Sequence, residues 1–385
     1  MKKPLVSAIL FLLFVNCYNG REMLHTVHDE LTVFQYPKEP TSYRMKSPLP
    51  QIFPSISVAA VGDMMFGGHA SFYIEKYGVS YPFDSTKKML SLADVALGNL
   101  EGPFTDDGKK YDKKFNFKVP PEYANGLLDA GFDVLTLANN HMLDYGIEGL
   151  KSTLDVLDSL GVAHCGAGLN LSDAEKQAII ERNGYRIATL GYSMTFPREF
   201  WATDSTGGTC YPVWNKMIAN IEKSDSLADF VIVTFHWGSE LKNQPKTYQK
   251  DFAHAAIDAG ADLVIGHHPH VLQGIEIYKN RLIAYSLGNF SFASYSKKAT
   301  ESIILKTYLT KEGLLFAKAV PILVNNHQVA FQPRPVKGAV ADSIISHLIK
   351  FSDALNAGQV IDKSGYIWNR LQFPPFKREK IVVTE

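Results

Sequence analysis

Leu263-Val264-Ile265-Gly266-His267-His268-Pro269-His270 begins as a strand and ends as a cluster of imidazoles. Three successive branched apolar residues read as a strand buried on both faces, the kind found in parallel sheets covered by helices. The run stops at a glycine, and three histidines follow within four residues. His268 and His270 are two apart, so an extended backbone directs both to one side, and Pro269 between them stiffens the turn. A His-x-His pair alone is a modest metal signal, equally readable as a hydrogen-bonded loop cluster. Just beyond a buried strand it is a sharper one, because functional groups in α/β folds collect outside the carboxyl ends of strands.

The same punctuation recurs along the chain. Ile56–Val61 runs into Gly62-Asp63, and Val95–Leu97 into Gly98-Asn99 with Glu101 close by. Val134–Leu137 leads to Asn139-Asn140-His141, Val231–Phe235 to His236, and Leu282–Tyr285 to Ser286-Leu287-Gly288-Asn289. Between these runs lie helical spacings. Tyr145–Leu160 repeats apolar residues at Ile147, Leu150, Leu154 and Leu157 and stops at Gly161, and Tyr248–Ala259 stops at Gly260. Strands alternating with helices predict an α/β fold. Asp63, Asn99, Glu101, Asn140, His141, His236, His267, His268 and His270 then fall at strand ends. Any one of these histidines could be a hydrogen-bonded core residue, but five of the chain's 12 share this placement. Carboxylates, imidazoles and an amide oxygen together suit one or two divalent ions of the Mn, Fe or Zn type. Two such ions about 3.5–4 Å apart are the usual means of activating water and stabilising both oxygens of a phosphoryl displacement.

The remaining features bound the setting. The chain has 385 residues, 39 Lys+Arg against 39 Asp+Glu, and no clustered basic excess of the kind nucleic-acid binding requires. Met1-Lys2-Lys3 and the apolar run Leu5–Val15 predict a signal peptide over residues 1–17, with Cys17 placed as the acylated cysteine of a lipoprotein. An exported, membrane-anchored protein of the cell envelope is therefore expected. Residues 18–54 read as a tether or arm, 55–325 as one domain, and 326–385 as an extension carrying a helix near Asp342–Leu355. Lys109, Lys110, Lys113, Lys114 and Lys118 form a basic stretch, either a solvated loop or a contact for an anionic substrate. Cys165 and Cys210 could pair or remain buried thiols.

Several of these segments resemble signatures of the bacterial capsule-synthesis (CapA/PgsA-like) family of poly-γ-glutamate biosynthesis. They are Gly62-Asp63, Asn99-Leu100-Glu101, Phe132–His141 continuing to Gly146, His236-Trp237-Gly238-Ser239-Glu240, Gly266–Val271 and Tyr285–Phe290. That family is similar to the calcineurin-like metallophosphoesterases, so the resemblance implies a four-layer α/β/β/α sandwich with a dinuclear centre. It implies metal ligation by Asp63, Asn140, His236, His268 and His270, and leaving-group protonation by His141. Two positions depart from the pattern. Met65 stands where a histidine ligand is usual, and Asn99 where a bridging aspartate is usual. Asn99 is neutral and a poor bridge, so Glu101 is expected to take that part beside it. His267 is left without a role. The resemblance implies a phosphoester or an anionic polymer as substrate, and other capsule-synthesis membrane proteins as partners. Either a metal-dependent hydrolase or a non-catalytic accessory protein for an anionic polymer is compatible with it.

Overall fold

A computed structural model describes residues 55–368. The signal peptide, Cys17 and tether expected over residues 1–54, and the end of the extension beyond 368, lie outside the described residues.

Ile56–Met65, Val95–Leu100, Val134–Thr136 and Ala163–Cys165 lie side by side and parallel. On the other flank of Ile56–Met65, the hairpin Glu301–Thr310/Gly313–Leu323 adds antiparallel strands. Three shorter strands, Asn289–Phe292, Arg334–Pro335 and Tyr366–Ile367, complete a nine-stranded sheet. The second sheet has six strands in the order Ile275–Tyr278, Arg281–Ala284, Leu263–His267, Phe230–His236, Tyr185–Ser193 and Ala178–Arg182. Its inner three junctions are parallel and its two edge junctions antiparallel.

Strand alternation sorts the apolar residues into layers. Val58, Ala60, Val95 and Leu97 of the first sheet meet Phe230, Ile232, Leu263 and Ile265 of the second in one core between the sheets. The opposite faces bury Ala59, Val61 and Leu135 under the helices Ser71–Tyr77, Ala124–Ala130 and Gly146–Leu160. Val231, Val233 and Val264 lie under Trp214–Leu227 and Thr247–Asp258. The result is the four-layer α/β/β/α sandwich. Each fully buried Val, Leu or Ile contributes roughly 1.5–3 kcal/mol relative to exposure, which is why the central strands read as unbroken apolar runs.

The helix expected at Asp342–Leu355 runs from Gly338 to Asp353 and buries Ile344, Ile345 and Leu348. Ser352 Oγ accepts from the Ile275 amide at 2.9 Å, tying that helix to an edge strand. Cys165 and Cys210 are free, buried thiols, and burial pushes the Cys165 thiol up to about 12. Among the described residues no helix is long and apolar enough to cross a membrane.

The chain passes from the second sheet to the first between Ala284 and Asn289, and this crossing closes the sandwich at the carboxyl ends of both sheets. The backbone there is tightly packed. A Cβ on Gly266 would sit 1.9 Å from the Tyr285 carbonyl oxygen and 2.6 Å from Trp237 Nε1. Gly266→Ala is therefore expected to cost about 3 kcal/mol or more of stability. Urea denaturation of parent and variant checks this; a loss under about 1 kcal/mol would show that the crossing yields easily.

Candidate metal centre

Every strand that carries an expected site residue ends on the same side of its sheet, because the strands concerned are parallel to their neighbours. In the first sheet Asp63 lies directly opposite Asn99, after a register shift that begins at Ala60. Such bulges re-aim side chains at functional edges. In the second sheet His267 lies opposite His236. The loops beyond bring Glu101, Asn140, His141, His268 and His270 into the same cleft.

Asp63 is fully buried. Its Oδ1 is 3.2 Å from His267 Nδ1, and its Oδ2 is 3.0 Å from His270 Nδ1 and accepts from the His268 amide at 3.2 Å. Glu101 is buried as deeply, and its Oε1 has no hydrogen-bond partner. Three imidazole Nε2 atoms face that oxygen, His270 at 3.6 Å, His141 at 3.9 Å and His236 at 3.9 Å. These spacings exceed hydrogen bonds. They suit donor atoms arranged around a common ion. His236 Nε2 is 2.7 Å from Asn140 Oδ1. His268 Nδ1 and both ring nitrogens of His267 also lack hydrogen-bond partners. His268 and His270 both have positive φ, 92° and 59°, conformations that non-glycine residues hold only where the surroundings enforce them.

The donor atoms fall into two groups, each with its members within 4.8 Å of one another. One comprises Asp63, Glu101 and His236, and the other His268, His270 and Glu240. Glu240 is exposed, whereas the first group is wholly buried. The electrostatics are those of a site short of positive charge. Burial raises Asp63, but the adjacent imidazoles of His267 and His270 outweigh it and hold the carboxyl well below its usual range. Burial pushes Glu101 well above its usual range, against the pull of His270. Burial would lower His270, yet Glu101 and Asp63 prevail and raise it to about 9. Burial and His270 drive His268 down to about 3. One imidazolium beside two buried carboxylates leaves the site short of positive charge, which a divalent ion would supply. The residues present fit such an ion.

Asn99, expected among the ligands, lies in the centre between the two carboxylates. Its amide oxygen accepts from Asn139 Nδ2 at 3.0 Å, while its nitrogen donates to Asp63 Oδ1 at 2.9 Å and Glu101 Oε2 at 3.2 Å. An amide between two carboxylates presents its donor side to them. Met65 is buried, and its sulfur accepts from the Gly67 amide at 3.3 Å.

His141 is held by contacts that the linear order does not announce. Its Nδ1 is 2.7 Å from Asp144 Oδ2, and Phe117 stacks on its ring at 4.0 Å between centroids. Lys113 turns inward, 2.5 Å from Asp144 Oδ1 and 2.5 Å from the Asn140 carbonyl, while Lys109, Lys110, Lys114 and Lys118 stay exposed. Burial lowers His141 below its ordinary value, against the pull of Asp144. Asp144 and Glu240 stand inside the quoted segments, and Lys113 inside the basic stretch, but spacing alone marks none of them as part of the site.

The sandwich and this cluster of carboxylates and imidazoles define an α/β/β/α protein with a candidate metal centre at the carboxyl ends of its strands. A family model described as "Bacterial capsule synthesis protein PGA_cap" matches residues 57–294, and the chain belongs to that family. It is 35% identical over 293 residues to the capsule biosynthesis protein CapA of Bacillus anthracis, covering 74% of this chain and 70% of that one. It is 36% identical over 285 residues to the PGA biosynthesis protein CapA of Bacillus subtilis, covering 73% and 74%. Among solved structures, the Haemophilus influenzae NAD nucleotidase NadN aligns at TM-score 0.41 and 14% identity, covering 80% of this chain and 65% of that chain. The Thermus thermophilus sulfate thiohydrolase SoxB aligns at TM-score 0.44 and 12% identity, covering 79% and 61%.

Proposed function

We propose that this protein is a metal-dependent hydrolase of the phosphoesterase type, acting in the cell envelope on a phosphoester within capsule or poly-γ-glutamate metabolism. The observation that carries this reading is the buried, unpartnered Glu101 Oε1 faced by three imidazole nitrogens at 3.6–3.9 Å. Asp63, Glu101, Asn140, His236, His268 and His270 would hold the ion or ions. A divalent ion there would act as a Lewis acid on a phosphoryl oxygen and on water. His141 Nε2 opens into the same space, 3.9 Å from Glu101 Oε1. It is placed to pass a proton to a departing oxygen, while Asp144 on Nδ1 fixes the ring and stabilises its cationic form. An anchor through Cys17 would keep this chemistry at the membrane, beside the membrane proteins of capsule synthesis.

A second reading is an accessory role in making or anchoring an anionic polymer, without catalysis. It is favoured by Asn99 and Met65 in place of charged or imidazole ligands, and by relatives named for biosynthesis. The discriminating experiment loads the full chain with Mn²⁺, Fe²⁺ or Zn²⁺ and assays phosphomonoesters and phosphodiesters. Metal-dependent turnover that disappears on chelation and returns with metal is expected. A folded, metal-loaded chain that cleaves none of them would leave the accessory reading as the better account.

A further inference from the structure

We propose that Glu240 is a ligand of the outer, weaker position of the dinuclear centre that the resemblance implies, grouped there with His268 and His270. The inference rests on the metal-dependent reading above and extends it to a residue that reading does not use. The inner group already holds three donors, Asp63, Glu101 and His236, all fully or almost fully buried. On the other side His268 and His270 alone would offer two imidazoles, one fewer than the three protein ligands typical of a catalytic ion. Met65, two residues after Asp63, offers no imidazole, and its sulfur is turned to a backbone amide. Glu240 supplies the third donor, within 4.8 Å of those of His268 and His270.

The loop that carries Glu240 is fixed to the histidine loop. The Trp237 amide donates to the His267 carbonyl at 3.1 Å, and the Leu241 amide to the Pro269 carbonyl at 2.8 Å. Asn243 Nδ2 donates to the Leu272 carbonyl at 2.8 Å, and Gln273 Nε2 to the Lys242 carbonyl at 2.8 Å. Four hydrogen bonds on both sides of Glu240 therefore set its backbone against residues 267–273, as a solvated surface carboxylate would not require. His268 lies at the join, nine-tenths buried, with Nδ1 lacking a hydrogen-bond partner. Charge points the same way. Asp63 and Glu101 match the charge of one divalent ion, and Glu240 brings a further anion toward a second. Because Glu240 is exposed while the inner donors are buried, the outer ion exchanges with solvent more readily and binds more weakly.

The test is calorimetric titration of the chelator-stripped full chain with Mn²⁺, with bound manganese counted after dialysis. The parent is expected to bind two ions in two steps. Glu240→Gln should keep the tighter step and shift the weaker one at least about tenfold to higher concentration, leaving one ion per chain after dialysis. His268→Ala should weaken the same step, and Asp63→Asn the tighter one. Glu240 is exposed, so its replacement leaves the fold intact, which circular dichroism verifies. Two steps unchanged in Glu240→Gln, or a single ion in parent and variant alike, would overturn the inference while sparing the hydrolase reading. A parent that binds no manganese would overturn both.

Discussion

Replacing His268 and His270 together by alanine is expected to give a folded chain that retains at most the inner transition-metal ion and gains far less thermal stability from added metal than the parent does. His270 Nδ1 is 3.0 Å from Asp63 Oδ2 and 3.0 Å from Asn289 Oδ1, and its Nε2 faces the unpartnered oxygen of Glu101. Without it, two buried carboxylates lose their cationic neighbour, and protonation of one of them is the cheaper outcome than an unpaired buried charge. The metal-free variant should therefore be less stable than the metal-free parent by a few kcal/mol, since breaking a buried ion pair costs about 3–5 kcal/mol. The decisive comparison is the response to metal. A ligand that binds only the native state stabilises it by about 4 kcal/mol at a thousandfold excess over its dissociation constant. The parent's thermal midpoint should rise with added Mn²⁺, and the double variant's should rise far less. Turnover should fall on the order of 10³-fold or more, the several kcal/mol of charge stabilisation that a catalytic ion provides. Metal content and melting curves suffice to judge it. A double variant that keeps the parent's metal would place the ions elsewhere.

The second large effect belongs to His141. His141→Ala should leave metal content unchanged and lower kcat about 10²–10⁴-fold on alkyl phosphoesters, the range for loss of a positioned proton donor. Esters of acidic phenols should suffer much less, because their leaving oxygen departs without a proton. Asp144→Asn should share the pattern in weaker form, since Asp144 binds Nδ1 at 2.7 Å and sets which nitrogen faces the cleft. Equal losses on both classes of ester would remove His141 from the role of proton donor and leave it a positioning role around the ion.

The ends of the strands were the most readable feature of the chain. Leu263–Ile265, Val231–Phe235 and Val134–Leu137 are apolar without alternation because helices and a second sheet cover both faces. The polar residue that ends each run marks where that cover stops. Gly98 and Asn99 belong to the strand Val95–Leu100 rather than to a loop after it. Asn99 consequently pairs with the neighbouring strand and turns its amide nitrogen to Asp63 and Glu101. Nothing in its spacing distinguishes that orientation from a ligand's.

What the linear order determined by itself was the strand–helix alternation and the gathering of Asp63, Glu101, Asn140, His141, His236, His268 and His270 at one edge. Parallel pairing places all carboxyl ends on the same side whatever the details of packing. Only the tertiary structure decided which donors share a group, how His141 is oriented, and that Glu240 stands against His268 and His270. Those facts depend on contacts between loops 27 or more residues apart, such as Lys113 with Asn140 and Leu241 with Pro269. Side chains on separate loops acquire their distances only when the two sheets close on one another, and residue type and spacing carry no record of that closure.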